Sequence, residues 1–162
     1  MGIYLNDKME LRGEFKIFTK QVKETEWNLR REGTNICVNL SRNLARDNLF
    51  GTQSYYVNWG AVSDNTDTPV AADTSLTGNE VRNSMQSGYP NLATNYQAKA
   101  QYYITATDWA GGSPSALTTV SKAGLYFQST GNYLFCAAKF DAITVNATTE
   151  MLIEWTVSFS DA

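Results

Sequence analysis

The 162-residue sequence contains no histidine. That absence excludes Ser-His-Asp and Cys-His catalysis, histidine zinc sites and imidazole pH switches within the chain. Only two cysteines occur, Cys37 and Cys136, far apart and without the close pairing of a zinc site. Buried thiols are the expected state, and sequence alone leaves a disulfide open. No apolar run approaches the roughly 20 residues that span a bilayer as a helix. The opening MGIYLNDKMELRGE also lacks the apolar stretch of a signal peptide. The expectation is synthesis in the cytoplasm of the producing cell and no membrane partner.

An excess of basic charge is missing too: 13 Lys and Arg stand against 16 Asp and Glu, for a formal net charge of −3. Residues 1–50 hold nine basic and seven acidic groups, whereas residues 51–162 hold four and nine. The first third is therefore densely charged and the remainder sparsely so. Nucleic-acid binding calls for a basic stripe, and the alternating signs of Asp7, Lys8, Glu10, Arg12, Glu14 and Lys16 do not make one. No direct nucleic-acid partner is expected; opposite charges of this kind can pair across a protein contact.

What is present is a core in quantity, with 43% apolar and 12% aromatic residues in a length that suits one domain. The clearest local signal is C-terminal. There Met151, Ile153, Trp155, Val157 and Phe159 alternate with Leu152, Glu154, Thr156, Ser158 and Ser160, the period of a strand with one buried face. Gly124–Gln128 and Tyr133–Phe140 flank the turn formers Ser129-Thr-Gly-Asn132 and read as a β-hairpin. Leu134, Cys136, Ala138 and Phe140 are expected on one face of its second strand. Further strands are expected at Gln53–Val62 and Lys99–Thr107, with weaker signals at Glu14–Lys20 and Glu26–Arg31.

Two helices are expected between them. Ile36, Leu40 and Leu44 recur at a spacing of four in a segment ended by Gly51. Thr77-Gly-Asn-Glu80 has the spacing of a capping box and predicts a second helix that stops near Gly88. Residues 63–78 and 108–119 collect Gly, Ser, Thr, Asn, Asp and Pro, and read as loops. The fold expected is mainly β: an antiparallel β-sandwich of jelly-roll or Ig-like type with two short helices over residues 34–162. An extended charged N-terminal arm, residues 1–33, precedes it.

Carboxylates are the catalytic groups that remain. Asp64, Asp67 and Asp73 share one loop and could be imagined around Ca²⁺, but their spacing is not that of an EF-hand. Turns and caps are the better reading, and no metal or cofactor is expected. Glu150 and Glu154 lie on the outward face of the last strand, where nothing indicates the cleft an acid–base pair needs. No GxSxG elbow, SxxK pair or phosphate-cradling glycine loop occurs. The protein is therefore not expected to be an enzyme. Among the aromatics, Trp59 and Tyr103 are expected in the core, while Trp109, in the loop DWAGGSP, is expected to be exposed and able to anchor a contact.

The order of segments resembles a group of small virion structural proteins of tailed bacteriophages. Asn35–Gly51, NICVNLSRNLARDNLFG, supplies an Asn/Leu-rich helix. YYVNWGAVSDNTDTPVAADTSLTGNEVR follows, with Asp73, Thr74 and Leu76 in its loop and Glu80 and Arg82 after it. Next come VSKAGLYF, with Ala123, Gly124 and Leu125, and the final strand Ile153-Glu-Trp-Thr-Val-Ser-Phe159. The similarity covers about residues 35–160. It implies a non-enzymatic protein located in the virion that decorates or reinforces the capsid, or forms part of the neck or tail. Its implied partners are other copies of itself and neighbouring virion proteins. The candidate contact residues are Arg12, Lys16, Phe18, Trp27, Arg30 and Arg31 of the arm, with Trp109. The alternative is a host-receptor module of a tail appendage that binds surface glycans near Trp109 and Tyr133.

Overall fold

The computed structural model describes residues 9–40, 43–44, 47, 51, 55–94, 96–111 and 117–161. Its first strand explains the charged N-terminal third. In β1 (Met9–Gln21) the odd positions Leu11, Gly13, Phe15, Ile17 and Thr19 turn inward, and the even positions Arg12, Glu14, Lys16, Phe18 and Lys20 turn outward. Side chains alternate faces along a strand. The alternating charges are thus the outer face of an amphipathic strand whose inner face is apolar.

β1 sits in the middle of the sheet. It pairs along its whole length with β9 (Thr149–Asp161), from Met9↔Asp161 to Gln21↔Thr149, and on its other side with β2 (Asn28–Cys37). The arm expected over residues 1–33 is therefore, from Met9 onward, a pair of sheet strands. Phe15 and Ile17 are 3% and 0% exposed, and their burial commits the segment to the core.

The remaining strands are β3 (Trp59–Ser63), β4 (Glu80–Ser84), β5 (Asn91–Thr94), β6 (Gln97–Ile104), β7 (Thr119–Tyr126) and β8 (Leu134–Thr144). Hydrogen bonding runs continuously through the order β4-β3-β7-β8-β2-β1-β9-β6-β5, and neighbouring strands pair antiparallel. This is one sheet where two separate ones were expected. The sheet is curled, and its halves meet narrowly where β2 and β8 pair at Ile36↔Ala137 and Cys37↔Cys136. The two halves then face each other across a shared core that includes Phe15, Tyr102, Leu125, Phe140, Ile153 and Trp155. Phe15 lies between Phe140 and Trp155, with ring centroids 5.9 and 5.7 Å away. The curl brings the chain just beyond β4 against β6, where Met85 bridges to Tyr102 and the Gln86 amide donates to the Gln101 carbonyl at 2.9 Å. The result is a half-barrel.

One end of the half-barrel is plugged. Asp108 opens a single helical turn, α1 (Asp108–Gly111), and accepts hydrogen bonds from the Thr105 amide, the Thr105 hydroxyl and Asn83 Nδ2. That cap drops Trp109 into the core, where its Nε1 donates to the Thr149 carbonyl at 2.6 Å. Trp109 is 2% exposed, so the exposed anchor expected at this position is a buried plug. The indole finds both apolar neighbours and a carbonyl acceptor, which removes the reason for it to face solvent.

A second, smaller core covers the outer face of β3, β7 and β8. Val38, Leu76 and Leu134 pack there with Ala61, Tyr126 and Ala137. Leu76 comes from residues 64–79, which carry no helix or strand, and it seats directly over Gly124. A Cβ there would lie 2.8 Å from Leu76 Cδ2 and 2.9 Å from the Cys136 carbonyl oxygen, so this close approach requires glycine. Where both faces are covered, Ala123-Gly-Leu125 of β7 stands against Cys136-Ala-Ala138 of β8, all small or apolar residues. The hairpin expected from them forms, with one change. The register shifts between Leu125↔Cys136 and Tyr126↔Leu134, and this bulge turns Leu134 to the outer core while Cys136, Ala138 and Phe140 stay in the main one.

The helix expected after Thr77 is instead β4. An N-cap residue needs extended backbone, whereas Thr77 has φ 59° and Gly78 φ 73°, a turn that feeds a strand. Glu80, expected to cap backbone, accepts from Arg82 Nε at 2.8 Å and from the Tyr126 hydroxyl at 2.7 Å. Glu80 and Arg82, two apart, share one strand face. The earlier helix is also shortened, because Ile36 and Cys37 complete β2. Helical backbone occurs at 39–40, 43–44 and 47, and residues 41–42, 45–46 and 48–50 of that expectation lie outside the described residues. The strand expected from Gln53 begins at Trp59, with 52–54 likewise outside.

Candidate functional site

At the end of β9 opposite the Trp109 plug, the half-barrel opens into an apolar cleft of about 290 Å³. Its floor is Ala100 and Leu125 and its walls include Val57, Phe135 and Val157. The rim holds Leu92 and Phe159, which are 86% and 39% exposed. Leu92 belongs to β5, an edge strand of the sheet. Edge backbone groups can pair with another chain. An apolar cleft beside such an edge combines hydrophobic burial with main-chain hydrogen bonding. Phe135 links the cleft to an aromatic cluster: Phe127 meets it edge-on at 5.5 Å, and Tyr55 stacks on Tyr133 at 6.2 Å.

A second surface lies on the outward face of β2, β1, β9 and β6. Register places Leu29 opposite Phe18, Phe18 opposite Leu152 and Leu152 opposite Tyr103, an apolar row running across four strands. Trp27, in the β1–β2 turn, folds over this face. Its ring meets Tyr103 edge-on at 5.6 Å, and Lys20 Nζ lies 5.1 Å above it. Lys20 also pairs with Glu150 at 3.1 Å. The Tyr103 hydroxyl and Lys20 together hold the Glu150 carboxyl below the ordinary carboxylate range. Burial, and then the carboxylate of Glu150, push the Tyr103 phenol upward.

Of the contact residues expected from sequence, Lys16, Phe18 and Trp27 come together on this outward face. Lys16 stands opposite Glu32 and Glu154, and Arg12 projects from the same side of β1. Arg30 is exposed on β2. Arg31 turns the other way, toward the gap where β2 leaves β8, and its Nε donates to the Asp141 carbonyl at 3.1 Å. Trp109 belongs to neither surface. Tyr103, expected in the core, is on the outward face, whereas its neighbour Tyr102 is fully buried.

The carboxylates weighed for catalysis or Ca²⁺ are engaged locally. Asp64 accepts from the Asn79 amide and side chain at 2.9 and 2.7 Å, and Asp73 from the Val70 amide at 2.9 Å. Glu154 accepts from Gln101 Nε2 at 2.9 Å. Among the described residues no three His, Cys, Asp or Glu side chains group as metal ligands. The cleft rim was missed by sequence reading. Its one available signal is the isolated Leu92 between Pro90-Asn91 and Ala93-Thr94, a large apolar residue with no periodic partners.

In comparisons with known proteins, the chain matches no family model, no curated protein and no solved structure.

Proposed function

We propose that this is a non-enzymatic structural protein of a tailed-bacteriophage virion, one that decorates or reinforces the capsid or forms part of the neck or tail. It is made in the host cytoplasm and resides in the particle, where it binds copies of itself and neighbouring virion proteins. The observation that carries the assembly role is the apolar cleft beside the β5 edge, rimmed by Leu92 and Phe159. Covering one such side chain contributes about 1.5–3 kcal/mol, and symmetric repetition multiplies the gain across a particle. The segment order described above supplies the virion setting. In this reading the two facing halves of the sheet serve as the layers of a β-sandwich, a stiff body behind the contact surfaces.

The test is assembly. The full chain should form oligomers in solution or co-sediment with phage particles, and Leu92→Asp should reduce that by tenfold or more without lowering the thermal midpoint. Undiminished assembly by Leu92→Asp would remove the cleft from the interface. The glycan-binding alternative is weakened by the burial of Trp109 and by the apolar lining of the cleft, since sugar recognition needs convergent polar groups. Specific signal on a glycan array, with no particle association, would reverse the order of the two readings.

A further inference from the structure

Cys37 and Cys136 stand directly opposite each other on β2 and β8, at the narrow seam that joins the halves of the sheet. The Val38 amide donates to the Phe135 carbonyl at 3.2 Å. In an antiparallel ladder that bond flanks a non-hydrogen-bonded pair, the kind in which opposed α-carbons are about 4.5 Å apart and side chains lie closest. Disulfides bridge α-carbons about 4.4–6.8 Å apart. Both side chains pack against the main core cluster, so they project to the same side. The two thiols are reduced in the structure, Cys136 buried and Cys37 half-buried.

We propose that Cys37 and Cys136 are a redox pair that closes to a cross-strand disulfide and staples the seam of the half-barrel. The geometry requires little backbone movement. Entry is through Cys37, the more exposed of the two residues, whose sulfur Asn35 Nδ2 approaches at 3.9 Å, a donor able to support a thiolate. The co-reactant is a low-molecular-weight disulfide such as oxidised glutathione. The Cys37 thiolate attacks one of its sulfurs, forming a mixed disulfide and releasing one thiol. Cys136 then loses its proton and attacks Cys37 Sγ, which forms the protein disulfide and releases the second thiol. Two electrons pass from the protein to the small disulfide, and the two protons end on the released thiols. Burial raises the Cys136 thiol and makes it a poor initiator, which sets this order of events. The closed bond ties residue 37 to residue 136 and restricts the unfolded chain over a long loop.

The reaction is read on the purified full chain by mass spectrometry after exposure to oxidised glutathione and alkylation under denaturing conditions. The expected product has lost two hydrogens, carries no alkyl group and no glutathione, and remains monomeric in non-reducing electrophoresis. Its thermal midpoint should rise by roughly 5–15 °C over the reduced form and return with dithiothreitol. Cys136→Ala should stop the sequence at one glutathione adduct on Cys37, and Cys37→Ser should take up none. If Cys136→Ala fails to fold, the wild-type mass and midpoint still decide. Two alkylated thiols after exposure, two glutathione adducts, or a dimer linked through Cys37 would each overturn the proposal.

Discussion

The ring of Tyr102 on β6 occupies the space in which a side chain on Gly60 of β3 would stand, and its hydroxyl donates to the Ala61 carbonyl at 2.9 Å. The two residues belong to opposite halves of the curled sheet, so the contact is a tie across the core. Gly60→Ala should destabilise the protein by about 1–3 kcal/mol through overpacking, and Tyr102→Phe by about 1 kcal/mol through loss of the hydrogen bond to the Ala61 carbonyl. Urea denaturation measures both, and a Gly60→Ala protein as stable as wild type would show that the ring is not seated there.

Removing residues 1–33 should abolish folding. The truncation takes away β1, the partner of β9 over its full length, and exposes the core previously sealed by Phe15 and Ile17. Circular dichroism of the truncated chain is expected to show loss of the β signal and no cooperative thermal transition. A folded truncation product would mean that β1 is dispensable to the core.

Lys122 is 3% exposed, on the outer face of β7, and its Nζ donates to the Leu76 carbonyl at 3.3 Å. Burial lowers its pKa from the ordinary lysine value. The charged form is therefore disfavoured in the folded state. That cost is fully present below the lowered folded pKa and fades as pH rises from there toward about 10.4. Lys122→Met should be neutral or stabilising by about 1 kcal/mol near neutral pH and should lack the alkaline rise in stability. Denaturation midpoints near pH 7 and pH 10 compare the two proteins directly.

Glu150 carries the opposite sign. Its folded pKa lies below the ordinary value because the Tyr103 hydroxyl and Lys20 favour the carboxylate. The stabilisation is whole above about pH 4.3 and is lost as pH falls through the folded pKa. Glu150→Gln should therefore lose less stability than wild type on acidification from about pH 7 to about pH 3. Trp27 lies beside the same Lys20, so the emission of that tryptophan should shift on Lys20→Ala at neutral pH as the ring loses its cation.

Much of the local structure was legible because period-two patterns declare themselves. The strand through Met151, Ile153, Trp155 and Val157 and the β7–β8 hairpin followed from alternation and turn residues alone. β1 carried the same pattern, but Gly13 interrupts its apolar face and the charges on the other face drew the reading toward an arm. Thr77 and Glu80 matched a capping box in spacing while Thr77 adopts a left-handed turn, which is held by hydrogen bonds linking the neighbouring Asn79 and Glu80 to Asp64 and Tyr126, both distant in sequence. The cleft was not legible, because Val57, Leu92, Phe135 and Phe159 come from four separate segments and only the curl brings them together.

Composition and alternation by themselves determined that this chain is a β protein without histidine chemistry, with its apolar residues sorted onto strand faces. Such information is local, since it depends on neighbours one or two positions away. Tertiary structure alone decided which faces are covered. It buried Trp109 as a plug and left Leu92 at an open rim. It laid Leu76 over Gly124 and set Cys37 opposite Cys136. These outcomes depend on strand order and on the narrow β2–β8 seam that joins the two halves of the nine-stranded sheet, and long-range pairing of that kind leaves no periodic trace in sequence.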